Sequence, residues 1–422
     1  MDRRGFLFGA AASPSAAASR LRRDPATALP APPGPEPDEK YWHELRWHFH
    51  LPREAVYLNT ATLGASPRSV LAAVHEHARW VEEQLVTCDY APDRPIYLAG
   101  YEDEPALRAR LARMLGGAKE EVALTRNATV GMNFVAMGLE LARGDEVVLT
   151  NMEHPGGRCG YDVRAKRDGI VIREVEIPVP PPDPAAIVAR FAAAIGPRTK
   201  VVAIPHVTSA LGIVLPVAEI ARLARQRGAF VVVDGAQGLG HVPVDVRAMG
   251  CDAYFASPHK WLLAPKGSGV FWIAKEAAPK VWTTLASSEW NNQDDPGRRF
   301  MQIGTGNMSL HKGFEAALDF VDRIGLAAMQ ARIRQLGDAF RKALAAMPHV
   351  HIRSATHPQL CAGIVTFTVD GWEARALHEH LWREHRLMPR SIGEFGVRAS
   401  FHVYDTLADV QRFTAALARL AS

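Results

Sequence analysis

Cysteine is scarce in this chain. Cys88, Cys159, Cys251 and Cys361 are the only four in 422 residues, with no CxxC pair and no zinc-ligand spacing. A disulfide scaffold or a structural zinc module is therefore not expected. In an oxidising compartment the four thiols leave more than one pairing open, and unpaired buried thiols are the simpler expectation. A long apolar run is also missing, since nothing approaches the ~20 residues that cross a bilayer. Neither sign of charge dominates: 49 Lys and Arg stand against 45 Asp and Glu, for a dispersed net charge of +4. That is too weak a footprint to imply nucleic acid. No GxGxxG opens a helix after a strand; Gly235, Gly238 and Gly240 are too scattered to suggest a dinucleotide-binding oxidoreductase. No internal repeat is present.

What is present supports a large folded protein. Hydrophobic residues make up 48% of the chain and charged residues 22%, enough for a sizeable core. The first seven residues, Met1 to Leu7, carry paired arginines (Arg3, Arg4) ahead of a short apolar run, and Ala16-Ala17-Ala18 supplies small residues for cleavage. This is the form of a twin-arginine export signal, so residues 1–18 are expected to direct the chain to the periplasm through the twin-arginine machinery. A disordered basic tail is the plain alternative. Residues 19–39, rich in Pro and Ala, read as a linker.

Beyond an N-terminal segment at 40–95, alternating helix-like and strand-like stretches predict an α/β domain over 96–310. Its strands are expected at Glu146–Thr150, Ile170–Val175, Lys200–Ile204, Phe230–Asp234, Ala253–Ala256 and Gly269–Ile273. Such alternation implies a mostly parallel sheet, whose active residues gather at the carboxyl ends of strands. Residues 311–422 change texture, with strong helical spacing over 313–346 and then mixed strands and helices. They read as a smaller α+β domain.

Two residues carry the chemistry. Asp234 ends one apolar strand, and Lys260 follows the next, in Ser257-Pro258-His259-Lys260-Trp261. Pyridoxal 5′-phosphate (PLP) requires such a pair: an amine to form the Schiff base and a carboxylate to keep the pyridine nitrogen protonated. Either residue alone would read as an ordinary surface group. Others join them. Ala128 and Thr129 open a helix-like segment whose free N–H groups and dipole suit a phosphate, and Ser257 offers another hydroxyl. His154 follows a strand and is suited to stack on a flat ring, Gln237 to donate to a ring oxygen, and Ser209, expected to end another strand, faces the same region. No metal site is expected.

The segments Val231–Val244 and Gly250–Gly269 resemble the class-V aminotransferase group of fold-type-I PLP enzymes. Thr125–Thr129, Met152–His154, His206–Pro216 and Arg398–Thr406 match that pattern in the same order. The resemblance runs from about Tyr57 to the C-terminus. It implies that Lys260 is the Schiff-base lysine and proton shuttle, Asp234 the pyridine partner, Gln237 the phenolate contact and His154 the stacking residue. It further implies that Thr129, Ser257 and His259 hold the phosphate and that Thr305 reaches the phosphate of a neighbouring subunit in a homodimer with shared sites. Arg398 would grip a substrate α-carboxylate, with Asn59 beside it on the substrate side.

Cysteine desulfurases of this group carry a nucleophilic cysteine on the loop before the arginine. Here that loop, Pro389 to Gly396, has none, and Ser209 replaces their usual Asn. Together with Tyr57–Gly64, this makes the chain similar to the isopenicillin N epimerase-like branch. That branch includes an exported relative which tailors a siderophore side chain. The expectation is an aminotransferase- or epimerase-like enzyme acting on an amino acid or an amino-acid-containing natural product. The alternatives are a PLP-dependent C–S lyase or desulfurase, and a non-catalytic PLP-fold binding protein, which would not need to retain Lys260, Asp234 and Arg398.

Overall fold

The computed structural model describes residue 34, residues 38–86 and residues 103–420. The expected signal, most of the linker, and Cys88 lie outside the described residues.

A seven-stranded sheet forms the centre. Its spatial order is Val122–Thr125, Gly269–Ile273, Ala253–Ala256, Phe230–Asp234, Thr199–Pro205, Glu146–Thr150 and Val171–Val175. Adjacent strands run parallel from Ala253–Ala256 to Val171–Val175, and only Gly269–Ile273 runs against its two neighbours. Phe230–Asp234 is buried at every position, as its unbroken apolar run requires of a strand covered on both faces. Covering helices show the matching stripe. In Val217–Arg225 the buried residues are Val217, Ile220, Ala221 and Ala224, the spacing of one helix face.

A second, four-stranded antiparallel sheet has the order Arg390–Ser391, Val397–Ser400, Ile364–Val369 and Val350–Ile352. It has its own apolar core, built around Phe340, Phe367, Phe401 and Phe413. The two cores part within one helix, Leu326–Ala345: Met329 and Ile333 belong to the larger core, Leu336 and Phe340 to the smaller.

The predicted strands of the large sheet match within a residue or so at each end. The helical stretch expected over 313–346 is instead two helices, Ser309–Ile324 and Leu326–Ala345. The break is at Gly325, whose φ of +87° a side-chain-bearing residue rarely adopts. Ser209 does not end its strand, which stops at Pro205; it sits in the turn beyond. The three described cysteines, Cys159, Cys251 and Cys361, are free.

The segment after residue 55 stitches the two cores together. Val56–Tyr57 pairs in parallel with Leu387–Met388. Val56 and Leu58 pack in the smaller core, Ala61 and Val70 in the larger.

Candidate active site

Asp234 is the last residue of its strand and nearly fully buried. Its Oδ1 accepts from the Ala236 N–H at 2.8 Å. Its Oδ2 faces Gly157, where an added Cβ would lie 2.6 Å away. Burial raises its pKa, against the pull of the Ala236 N–H and of Lys260. A carboxylate held dry and met only by backbone favours a nearby positive group, the environment a protonated ring nitrogen would share.

Lys260 lies in the turn after the next strand, its N–H donating to Ser257 O at 3.0 Å. Burial lowers its pKa from 10.5 to about 8, with Asp234 opposing and Arg398 and Arg390 assisting. The unprotonated amine that a nucleophile or general base requires is therefore far more accessible near neutral pH than in an ordinary lysine. The turn is pressed from outside by Gly64. The Gly64 N–H donates to His259 O at 3.1 Å, and a Cβ at Gly64 would stand 1.9 Å from Lys260 O. Only glycine allows that approach.

Near them lies the start of the helix Ala128–Gly138. Its N-cap, Asn127, accepts from Val130 N, and the Ala128 N–H donates to Ser257 Oγ at 3.1 Å. Thr129 Oγ1 would be 2.7 Å from a Cβ on Gly156, next to His154, which caps the helix Pro155–Asp168. His259 Nδ1 lies 2.8 Å from Ser268 O, so that nitrogen donates. Thus Ala128, Thr129, His154, Ser257 and His259 adjoin Lys260 and Asp234.

The residues expected on the substrate side form a second hydrogen-bonded group. Arg398, 2% exposed, donates to Ser209 O at 2.7 Å, Asn59 Oδ1 at 3.0 Å and Thr62 Oγ1 at 2.8 Å. Gln237 Nε2 joins it through Ser209 Oγ at 3.2 Å and also donates to Ala61 O at 2.8 Å. Among the described residues, Arg398's acceptors are all neutral and its buried Nε has no partner. Burial, then the neighbouring Arg390, pulls its pKa down to about 9. A buried guanidinium with no carboxylate partner among the described residues can pair with an anion.

Thr305 is exposed in the turn before Ser309–Ile324 and is not among the residues these hydrogen bonds link.

Sequence reasoning gave no role to two further groups. Arg390 is the cross-strand partner of Arg398 and donates to the same Thr62 Oγ1, at 3.0 Å. Only strand register reveals that pairing. Glu153 accepts from Thr150 N and Oγ1 at 3.2 and 2.8 Å, and its pKa is raised to about 8 by burial and by Asp234. It stood within the Met152–His154 motif, where His154 drew the attention.

The set fits PLP. A helix N-terminus with hydroxyls suits the phosphate, Asp234 the ring nitrogen, the Gln237 amide a ring oxygen and Lys260 the aldehyde carbon.

The family model described as Aminotransferase class-V matches residues 101–413. Isopenicillin N epimerase from Streptomyces clavuligerus is 31% identical, over 89% of this chain and 97% of its own. A probable cysteine desulfurase from Methanothermobacter thermautotrophicus is 26% identical, over 90% and 98%. Among solved structures, the cystine C–S lyase C-DES in complex with its product cysteine persulfide superposes with a TM-score of 0.77 at 28% identity, covering 87% of this chain and 98% of that one. A lysine-to-alanine mutant of C-DES has also been solved with glycine covalently linked to the PLP cofactor, and that structure matches at a TM-score of 0.78 and 28% identity, over 88% and 98%. The match over most of the chain, the fold and the residues gathered around Lys260 lead to one assignment: this chain belongs to the class-V aminotransferase family and is a PLP-dependent enzyme of fold type I.

Proposed function

We propose that the enzyme acts at the α-carbon of an amino acid, or of an amino-acid moiety in a larger natural product, whose α-carboxylate is held by Arg398. The observation that carries this is the buried Arg398, served only by neutral acceptors and grouped with Lys260. When bound, PLP supplies an electron sink for negative charge at the α-carbon. Lys260 takes and returns the proton there, within reach of neutral pH. Asp234 holds a positive charge at the far end of the ring. Ser209, Asn59 and Thr62 orient the guanidinium. Arg390, beside it on the next strand, places a second cation where a second acidic group of the substrate would sit. Transaminase and epimerase outcomes differ in where the proton returns.

A C–S lyase outcome is the second reading, favoured by the likeness to C-DES. A desulfurase is disfavoured because the loop from Pro389 to Gly396 has no cysteine nucleophile. A homodimer completed through Thr305, and periplasmic export through the Arg3-Arg4 start, belong to the same proposal, as does tailoring of a secondary metabolite such as a siderophore.

The test is incubation of the yellow holoenzyme with amino acids bearing one or two acidic groups, in D₂O, with mass detection. Deuterium at the α-carbon without elimination supports the leading reading. Release of pyruvate and a persulfide or sulfide supports the lyase. No exchange and no product with any α-amino acid overturns both. A fusion of residues 1–35 to a folded reporter should reach the periplasm and be retained in the cytoplasm after Arg3→Lys with Arg4→Lys.

A further inference from the structure

Gln237 is an amide with two chemically different ends, and its usefulness depends on which end faces the site. Its Oε1 accepts from Trp261 Nε1 at 2.8 Å, and its Nε2 donates to Ala61 O and Ser209 Oγ. An indole N–H can only donate. Trp261 and the Ala61 carbonyl, which can only accept, together dictate that Oε1 faces the indole and the NH₂ end points toward Ser209 and Arg398.

Trp261 is itself held by two stacked histidines. His241 stacks on it with ring centroids 3.7 Å apart and planes within 5°; His402 stacks with centroids 5.7 Å apart. Each histidine is locked in one neutral form. His241 Nε2 accepts from the Gly363 N–H at 2.7 Å, so its Nδ1 carries the proton toward Gln237 O at 2.8 Å. His402 Nδ1 accepts from the Val403 N–H, so its Nε2 donates to Trp261 O at 3.1 Å. Burial lowers their pKa values to about 3 and about 4, which keeps the clamp uncharged through the working range. Trp261 is fully buried, and Gln237, His241 and His402 nearly so. The clamp spans both parts of the molecule, since Gly363 and His402 flank strands of the smaller sheet.

We propose that Trp261 is a positioning residue. With Ala61 O it fixes the Gln237 amide so that the NH₂ hydrogen now given to Ser209 Oγ, the longer of its two bonds, is the one presented to the cofactor's ring oxygen, and the His241–His402 stack keeps its indole N–H on target. This rests on the reading of Gln237 as the ring-oxygen contact. With the indole N–H removed, only the Ala61 carbonyl still anchors the amide, Oε1 loses its donor, and the NH₂ group is held less firmly toward the ring oxygen.

The test uses the full-length protein with Trp261→Phe, which keeps a stacking ring but no N–H. A second variant places benzothienylalanine, an indole isostere without the N–H, at position 261. Gln237→Met and the Trp261→Phe/Gln237→Met double variant complete the cycle. Apoprotein affinity for PLP should fall about fivefold, the worth of one neutral hydrogen bond, in both Trp261 variants. The pH midpoint of the holoenzyme's visible absorbance should move in the same direction as in Gln237→Met. Trp261→Phe should add nothing in the Gln237→Met background. If both Trp261 variants keep the wild-type midpoint and PLP affinity while Gln237→Met moves them, Trp261 is packing alone and the proposal fails. Additive effects in the double variant overturn it as well. No change in Gln237→Met itself overturns the underlying reading of Gln237.

Discussion

Asp234 and Arg398 are both buried charged groups beside one lysine, yet they are held in opposite ways. Asp234 ends a strand in the middle of a parallel sheet and is served by backbone. Its place follows from one local fact, the end of an apolar run. Arg398 lies on a short strand of the other sheet, and its acceptors Ser209, Asn59 and Thr62 come from two distant stretches of chain. The expected cofactor half is thus set at Asp234 by a local strand end, and the expected substrate half at Arg398 by long-range assembly. The first can be shared across a whole family. The second is where specificity can change, because side chains such as Arg390 enter or leave it without disturbing the sheet.

Four expected outcomes press on this comparison, beginning with the largest. Lys260→Ala should abolish turnover and the visible absorbance of the lysine-linked cofactor, and borohydride reduction of the wild type should fix PLP to the peptide holding Lys260. Label on another lysine would remove the centre from which both halves are defined. Asp234→Asn should keep PLP bound but slow the chemical step about a thousandfold, a loss of ~4 kcal/mol of transition-state stabilisation. Wild-type single-turnover rates in that variant would mean the strand-end acid is not the ring partner.

Arg398→Ala should leave PLP affinity nearly intact and weaken substrate binding by ~2–5 kcal/mol, the cost of breaking a buried charged contact from one side. Arg398→Lys should recover only part, since an ammonium lacks the two-pronged fork. If both variants lose PLP instead, the division into cofactor and substrate halves is wrong.

The smallest effect is on pH. Lys260 is at about 8 in the folded apoprotein against 10.5 ordinarily. PLP uptake needs the unprotonated amine, so its rate should rise with pH below about 8 and level off above it. Asp234 raises this pKa and Arg390 lowers it, so the inflection should move down in Asp234→Asn and up in Arg390→Met. Stability follows the same group. Between about 8 and 10.5 the unfolded chain holds the proton that the folded chain has shed, so apoprotein stability rises with pH there. Lys260→Met should therefore stabilise the apoprotein below pH 8, an advantage that fades by 10.5; denaturant titration at pH 7 and 10.5 would detect it.

Much of this was legible without coordinates. Phe230–Asp234, Ala253–Ala256 and Gly269–Ile273 announce themselves as continuous apolar runs, because a strand buried on both faces has no polar position to give. Val122–Thr125 offers only three apolar residues between Glu121 and Thr125 and does not stand out, and Val56–Tyr57 and Leu387–Met388 are two-residue strands that exist only through each other. Gly325 breaks a helix that its flanking pattern would continue.

By itself, the sequence determined the parallel sheet, the strand-end aspartate and the lysine one strand later, since apolar periodicity and spacing along the chain are local properties. Only the tertiary structure decided that Thr62 would bring Arg390 and Arg398 together, that Gly64 would press on the Lys260 turn, and that Trp261 would turn the Gln237 amide. Each of these depends on residues dozens to hundreds of positions apart meeting within hydrogen-bond or van der Waals distance, and the pattern of any one segment carries no record of the surface it will meet.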